Sequence, residues 1–327
     1  MLYKCKNCGG NVVFDPKTQH MHCLHCESEE SQEIKKESSI QKCVNCGAPL
    51  ETDDLTSACK CQYCGVYHVF EERLDGDYEP HLILPFKINK RQAVEVLEKE
   101  FKKRIFTPTG FLSAKSLESM EGRYVPFWLY DFDTEYNFVG EGTKIRTWTV
   151  GDTEYTETSY YEVIRDLDID FKKIPVDASE KMDDSVMDLM EPYDYEGLQN
   201  FEPKYMSGFL GEIYNYKADE VIKRAKDKAK EASDQLMDKT INGYVSVRER
   251  NRNLRMNERD KNYALFPVWV YVYRFNDKNY EFHVNGQTGK VIGSTPVQKN
   301  KVIGYGATVF AALTMILFFL VGIAGVV

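Results

Sequence analysis

Two blocks of paired cysteines constrain the fold of this chain more than any other feature of its sequence. Each block holds two CxxC pairs with fourteen residues between the pairs, and adding 38 to each position of the first block gives the second. The neighbouring residues repeat as well, since Asn-Cys-Gly-Gly at 7–10 matches Asn-Cys-Gly-Ala at 45–48. This regularity indicates a duplicated module. Its cysteines are Cys5, Cys8, Cys23 and Cys26 in the first copy and Cys43, Cys46, Cys61 and Cys64 in the second.

The spacing is typical of four-cysteine zinc ribbons. Zn²⁺ takes four thiolates in a tetrahedron, and a CxxC turn brings two sulfurs to one ion. Fourteen residues suffice for a short hairpin, and residues 11–14 followed by 15–18 predict a strand and then a turn. Modules this small bury little apolar surface, so the metal would supply much of their folding free energy. We therefore predict two structural zinc ions per chain, and two intact pairs per module favour this over a redox CxxC.

Three further side chains near these pairs are candidate ligands that the repeat does not support. Cys59 precedes Cys61 by two positions, but its counterpart in the first module is a methionine, so we interpret it as a spare thiol. His22 and His25 have a lysine and a tyrosine as counterparts in the second module. We interpret both histidines as surface or supporting residues.

Charge and context favour a cytoplasmic setting and protein partners. The segment Met1–Lys4 leads straight into the first cysteine pair without a signal-peptide pattern, so we expect reduced thiols. The formal net charge is −9, and residues 1–72 hold seven lysines against eleven acidic residues (7 − 11 = −4). A nucleic-acid-binding module normally has the opposite sign. Nucleic-acid binding is therefore not expected.

Residues 302–327 contain no charged side chain and predict a transmembrane helix. A helix of that length spans about 39 Å, more than the roughly 30 Å of a hydrocarbon core. Tyr305 lies where an interfacial aromatic residue is expected, and Lys299 and Lys301 precede the span. The positive-inside rule then places the amino-terminal domains in the cytoplasm of a single-pass cell-membrane protein, inserted after translation as tail-anchored proteins are.

The region between the ribbons and the anchor predicts an α+β domain. Asn89 caps a helix that runs to about Ile105, and a second, heavily charged helix covers 218–240. The segments Pro126–Tyr130 and Pro267–Tyr271 resemble each other and each follows a helix, which suggests two helix-plus-antiparallel-sheet halves. A turn is predicted at Asn285-Gly286, and the predicted strands are 124–130, 147–149, 156–164, 265–275, 280–284 and 290–292.

The predicted fold class is therefore multidomain, with two small β zinc ribbons, an α+β domain and one carboxyl-terminal transmembrane helix. A polar linker is expected over 31–41, and an acidic, turn-like connection over 71–79. The predicted boundaries are 1–32 for zinc ribbon 1, 38–72 for zinc ribbon 2, 78–296 for the α+β domain and 302–327 for the transmembrane helix.

No catalytic residue is predicted. Beyond the two cysteine blocks, which end at Cys64, the histidines are His68, His81 and His283, and neither GxSxG nor HExxH occurs. Four-cysteine sites leave no open coordination position for a reactive water. Residues 176–206 are acidic and aromatic, and we interpret them as a surface loop that docks its tyrosines on the sheet, with a cation site or an acid–base pair as the alternative.

Several segments together resemble a family of bacterial tandem zinc-ribbon membrane proteins, the YdjG-like family. The segments are CxNCGGNVVFDP, CxNCGAxLETDDLTSA, LILPFKI, YVPFWLYD, PVDASEKMDD with MEPYDY, and NGQTGKVIG, spread over nearly the whole chain. Such proteins are often labelled as transcription-factor-IIB-type zinc-ribbon proteins or as primosomal replication helicases, but no helicase motif occurs here. The resemblance implies a membrane tether that recruits cytoplasmic partners, among them flotillin-like (SPFH-domain) proteins in envelope stress.

Two functions are consistent with these observations. The first is a membrane-anchored cytoplasmic adaptor that uses the ribbons and the α+β domain to recruit proteins. The alternative is a membrane-tethered nucleic-acid-binding regulator, because zinc ribbons are common in transcription and replication. The negative charge of the ribbon segment favours the adaptor.

Overall fold

A computed structural model describes residues 1–34 and 41–324, with side chains described except at 114–115 and 319–324. The helices are α1 (Lys90–Phe101), α2 (Ala114–Leu117), α3 (Asp184–Leu189), α4 (Ala218–Thr240) and α5 (Lys299–Ala324). The strands are β1 (Leu2–Cys5), β2 (Val12–Asp15), β3 (His20–Cys23), β4 (Ser31–Ile34), β5 (Thr56–Lys60), β6 (Tyr67–Val69), β7 (Leu82–Ile83), β8 (Glu121–Val150), β9 (Thr153–Asp177), β10 (Gln199–Asn200), β11 (Leu210–Glu212), β12 (Ser246–Phe275), β13 (Lys278–Asn285) and β14 (Val291–Gly293).

The antiparallel pair β8 and β12 forms the middle of a large mixed sheet. The sheet runs β10-β7-β12-β8-β11-β5-β6, and β9 and β13 extend β8 and β12 on their outer edges. Pro126 lies on β8 between the residues that pair with β11 and those that pair with β9. Pro267 lies on β12 between the residues that pair with β7 and those that pair with β13. Proline has no N–H to donate, so it is tolerated at such a break in the ladder.

The two halves of the sheet are related by an approximate two-fold axis. The similar segments Pro126–Tyr130 and Pro267–Tyr271 are 141 positions apart, so each residue of the first half has its equivalent 141 positions later. Val125 pairs with its own equivalent, Phe266 (125 + 141 = 266), and the axis therefore passes through this pair. Apart from the one-turn helix α2 between α1 and β8, the order strand, helix, strand, strand occurs in β7-α1-β8-β9 and again in β11-α4-β12-β13. The indole of Trp128 donates to the Tyr216 carbonyl (2.9 Å), and that of Trp269 donates to the Ile88 carbonyl (2.8 Å), each two residues before a helix of the other half. This symmetry agrees with two halves; their origin by duplication stays a prediction.

Aromatic residues fill the core on both faces of the sheet. On the face covered by α1 and α4, the ring of Phe86 stacks on that of Phe209 with centroids 4.1 Å apart. On the other face Phe127 stacks on Phe266 at 4.6 Å, and Tyr193 packs against the same ring at 4.6 Å. The acidic, aromatic segment 176–206 therefore docks Tyr193 on the sheet as expected, but it is not a simple loop, since it contains helix α3 and strand β10.

The carboxylates of this segment are paired with basic residues of α4. The guanidinium of Arg224 lies 2.9 Å from Asp177, 3.0 Å from Asp184 and 3.3 Å from Asp188. The side chain of Asp177 is fully buried, and burial raises its pKa to about 6 although the charge of Arg224 lowers it. The carboxylates thus bind the fold's own cations, which removes the basis for a cation site formed by these three residues.

Several predicted elements differ from those in the structure. The expected linker 31–41 begins as strand β4, because the edge of β1 pairs with it from Leu2 to Cys5; residues 35–40 lie outside the described part. Helix α1 begins after Asn89 with a capping box but ends at Phe101 instead of Ile105, because the amide of Arg104 donates to the Phe101 carbonyl (2.9 Å) in a tighter turn. The expected strands 147–149 and 156–164 are parts of one long hairpin, and residues 246–264 extend β12, which sequence reasoning missed.

The amino-terminal segments pack against this sheet, whereas the carboxyl-terminal helix α5 is exposed. Strands β5 and β6, within predicted zinc ribbon 2, join it through the pairing of β5 with β11. The amide of Phe14 in ribbon 1 donates to the Ser207 carbonyl at 2.8 Å. The apolar helix α5 is long and apolar enough to cross a membrane, by length and composition, and residues 325–327 of the predicted span lie outside the described part. The division into domains stays a prediction.

We predict that Arg224→Met destabilises the fold by about 1–2 kcal/mol at pH 7, because Asp177 loses its counter-charge and protonation limits the cost. The deficit should shrink as the pH falls toward about 6, since a protonated Asp177 needs no partner. Urea unfolding of the detergent-solubilised full chain at neutral and acidic pH measures both effects. Lys223→Met, at an exposed neighbouring position, is the matched control, and an equal loss in both variants would contradict the prediction.

Candidate metal centres

The structure brings each predicted set of four cysteines together. In the first group the sulfurs of Cys5 and Cys26 are 3.6 Å apart, as are those of Cys8 and Cys23. All four sulfurs lie within 4.8 Å of one another. A tetrahedral ion with metal–sulfur distances of about 2.3 Å separates its ligands by about 3.8 Å. The first group therefore has the geometry that a tetrahedral metal ion requires.

The second group repeats this geometry. Its sulfur–sulfur distances are 3.6 Å for Cys43 and Cys64 and 3.8 Å for Cys46 and Cys61, and again all four lie within 4.8 Å. In both groups the first and third cysteines are buried and the second is exposed. Both groups could hold a metal ion, and four thiolates are the donor set that structural Zn²⁺ takes.

The backbone turns that present the sulfurs are the same in all four CxxC pairs. In the first pair the amide of Gly9 donates to the Cys5 carbonyl at 2.9 Å, and Gly9 has a φ of +72°. Glycine tolerates that left-handed conformation without a Cβ clash. The same bond and a positive φ occur after each second cysteine, at Gly9, Glu27, Gly47 and Gly65.

Backbone N–H groups in ribbon 1 point at the sulfurs and favour the thiolate form. The amide of Asn7 lies 3.3 Å from the sulfur of Cys5, and that of His25 lies 3.4 Å from the sulfur of Cys23. Hydrogen bonds from the amides of Cys8 and Asn7 lower the pKa of Cys5 to about 6. Bonds from Cys26 and His25 lower the pKa of Cys23. The pKa of Cys8 is raised by its contacts with Cys26 and the other cysteines and by burial, so these turns favour the metal-binding thiolate form at Cys5 and Cys23.

The structure adds one residue that sequence reasoning did not assign to either site. His68 on β6 is buried, and its Nε2 lies 3.2 Å from the sulfur of Cys43. Burial, with smaller effects from the amino terminus and Lys4, lowers the pKa of His68 to about 4, so the ring is neutral at pH 7. A neutral ring protonated at Nε2 donates a hydrogen bond to the thiolate. In the sequence, His68 is two positions after Val66, the spacing at which side chains of a strand point to the same face, and both residues are buried. This spacing is a weak signal that could have indicated that His68 points inward.

The other candidates lie outside both sulfur groups. Cys59 is buried on β5, and burial raises the pKa of its thiol to about 11. His22 lies on β3, where its side chain lines a cavity of about 360 Å³ between ribbon 1 and the large sheet. His25 contributes its backbone amide to Cys23, as described above.

We predict two zinc ions per purified chain, because two separate sets of four sulfurs have tetrahedral spacing. Inductively coupled plasma mass spectrometry of the detergent-solubilised chain measures the ratio. Cys46→Ser should reduce it to one, whereas Cys59→Ser should leave it at two. One zinc in the unaltered chain, or iron in place of zinc, would contradict the prediction.

We predict that His68→Phe weakens metal retention at the second site by about ten- to a hundredfold, the effect expected on losing a hydrogen bond to a ligand. Competition with a chromogenic chelator measures it, since the two sites should release zinc in separate phases. The first site in the same molecule is the internal control. His22→Phe should change neither phase.

Comparison with known proteins places the chain in a family. No family model matches it, and no solved structure matches it. The chain is 37% identical over 329 residues to "Uncharacterized protein YdjG" of Bacillus subtilis (strain 168), and the match covers 96% of both chains. A likeness of that extent leaves little of either chain unmatched, so the chain belongs to the same protein family as YdjG.

Proposed function

We propose that the chain is a membrane-anchored cytoplasmic adaptor that recruits proteins and performs no reaction of its own. Three features support this: two closed four-cysteine groups, one helix apolar enough to span a membrane, and a long β-hairpin that extends beyond the sheet. Zinc is the metal we propose for both groups. The lysines at 299 and 301 before the span favour a cytoplasmic location for the domains.

The observation on which the proposal mainly rests is the exposed aromatic tip of this hairpin. Strand β12 pairs with β8 only as far as Thr143, so residues 144–159 form a two-stranded extension. At its end the rings of Trp148 and Tyr155 stack with centroids 5.7 Å apart, yet the two residues stay 40% and 47% exposed. Exposed clusters of large apolar side chains mark sites of protein interaction.

Other apolar side chains enlarge this surface, which we name the hairpin tip (residues 144–160). Val150, on the same face as Trp148, is 60% exposed, and Tyr160, which pairs with Thr143 on the opposite face, is 68% exposed. A two-stranded hairpin has little stability of its own, so apolar residues there do not serve a core. Among the described residues no strand pairs with the outer edge of β9, which leaves backbone groups free for a partner strand. The partner class we propose is an SPFH-domain protein, as the family resemblance implies.

We predict that Trp148→Ser with Tyr155→Ser abolishes recovery of protein partners while the chain stays in the membrane. The experiment is affinity purification of the full chain from solubilised membranes, with the recovered proteins identified and quantified by mass spectrometry. The cross-strand pair Thr147 and Thr156 is the matched control, because Thr147→Ser with Thr156→Ser alters the opposite face of the same hairpin.

Two outcomes would contradict this proposal. If the Trp148 and Tyr155 variant recovers the same partners as the unaltered chain, the hairpin tip is not the docking surface. If the purified chain instead shifts DNA or RNA in a salt-dependent manner, the regulator alternative applies. A variant with Cys43→Ser and Cys46→Ser tests the second ribbon in the same way, and unchanged recovery would exclude that ribbon as the docking surface.

A further inference from the structure

One loop of the α+β domain lies against the start of the apolar helix. The amide of Gln298 donates to the Phe106 carbonyl at 2.9 Å, and the ammonium of Lys301 donates to the Thr107 carbonyl at 2.7 Å. Further along α5, the ring of Tyr305 packs edge-on against Phe106 with centroids 5.5 Å apart. These contacts hold residues 102–108, which we name the anchor loop, beside the first two turns of α5.

The anchor loop is basic although the chain as a whole is acidic. Lys102, Lys103 and Arg104 follow one another and are exposed, and Lys299 and Lys301 add two more cations at the start of α5. One acidic residue pairs with this cluster: the Glu100 carboxylate lies 3.5 Å from Arg104, and both are about half exposed. In the part of the chain that the structure describes, Lys102, Lys103 and Lys299 form no ion pair. Most of this positive charge is therefore available to an outside anion.

A cavity of about 330 Å³ opens between the anchor loop and residues 295–297. Lys103 and Arg104 line it, together with the exposed apolar side chains of Ile105 and Val297. Thr107 also lines it; this residue is 92% buried (8% exposed), and its hydroxyl has no hydrogen-bond partner among the described residues. A buried hydroxyl without a partner is costly, so a ligand that accepts its hydrogen bond would relieve that cost.

We propose that this cavity binds the phosphate headgroup of an anionic membrane lipid. Two cations and a hydroxyl donor suit a phosphate oxygen, and Ile105 and Val297 suit the apolar part of a lipid. The contacts of Phe106 with Tyr305 place the cavity at the level where α5 would enter the membrane, which favours a lipid over free phosphate. The inference rests on the proposed anchor, and it adds a second membrane contact that fixes the orientation of the domain.

Hydrogen–deuterium exchange of the full chain in lipid nanodiscs tests the proposal. We expect residues 102–108 to exchange about fivefold more slowly or better when phosphatidylglycerol is mixed into phosphatidylcholine than in phosphatidylcholine alone. Lys103→Ser with Arg104→Gln should remove the difference, and so should Thr107→Val, which keeps the shape of the side chain. The control variant, Lys223→Ser with Lys226→Gln on α4, removes the same amount of charge elsewhere and should retain the difference in exchange between the two lipid mixtures.

Equal exchange in the two lipid mixtures would overturn the proposal, as would loss of the difference in the α4 control. Inorganic phosphate added to the chain in neutral detergent is a separate arm, and equal protection there would assign the cavity to free phosphate instead of lipid. Extraction of the membranes with alkaline carbonate tests the anchor independently. A chain that alkaline carbonate releases refutes the proposed anchor, whereas a retained chain with an unprotected loop refutes only the lipid site.

Discussion

The antiparallel pairing of β8 with β12 is the interaction on which the rest of the structure depends. It begins at the anchor side with Glu121 opposite Val270 and continues to Thr143 opposite Ser246, so one ladder connects the α+β core to the hairpin. Val125 and Phe266 lie on the approximate two-fold axis, which exchanges the neighbouring pairs of the ladder with one another, as Trp128 opposite Tyr263 with Trp269 opposite Gly122. Each half then needs the other, since the tryptophan of one half satisfies a carbonyl beside the helix of the other. Neither half would have a complete core alone.

The two cysteine modules depend on this sheet for partners that their own short strands do not supply. A four-cysteine group fixes four backbone turns, but the short strands between the turns bury little surface. The sheet supplies the missing partners: β11 pairs with β5 of the second ribbon, and Ser207 bonds the first ribbon through its carbonyl and its hydroxyl. His68 then connects the two systems, because the strand that pairs with β5 also places its ring on the sulfur of Cys43. The strand edges of the two ribbons that make these contacts are covered by the rest of the chain. A partner protein would therefore find more exposed surface at the hairpin tip.

Regular patterns in the sequence predicted the cysteine groups and α4 well, but they did not predict how distant segments pair and contact each other. The repeat of 38 residues predicted which cysteines lie together, because tetrahedral ligation leaves few alternatives, and a heavily charged run predicted α4 from Ala218 to Thr240. The strand over 246–264 was missed because its residues are mostly polar: both faces are largely exposed, and stability comes from the ladder and from ion pairs such as Arg259 with Asp133 and Asp170. His68 was missed for a related reason. Its role depends on the pairing of β6 with β5, and a ring that contacts a cysteine 25 positions away has no local signature.

The direction of β12 connects the proposed anchor with the proposed docking surface. At one end of this strand Tyr273 packs against Phe111, close to the anchor loop, and at the other end Ser246 lies beside Thr143 where the hairpin tip begins. A strand of 30 residues covers about 100 Å if fully extended, and less when twisted. With α5 in a membrane, this single strand would hold the aromatic tip far from the lipid surface. Such an arrangement suits an adaptor, because a partner could reach Trp148 and Tyr155 without competing with the membrane for the same face.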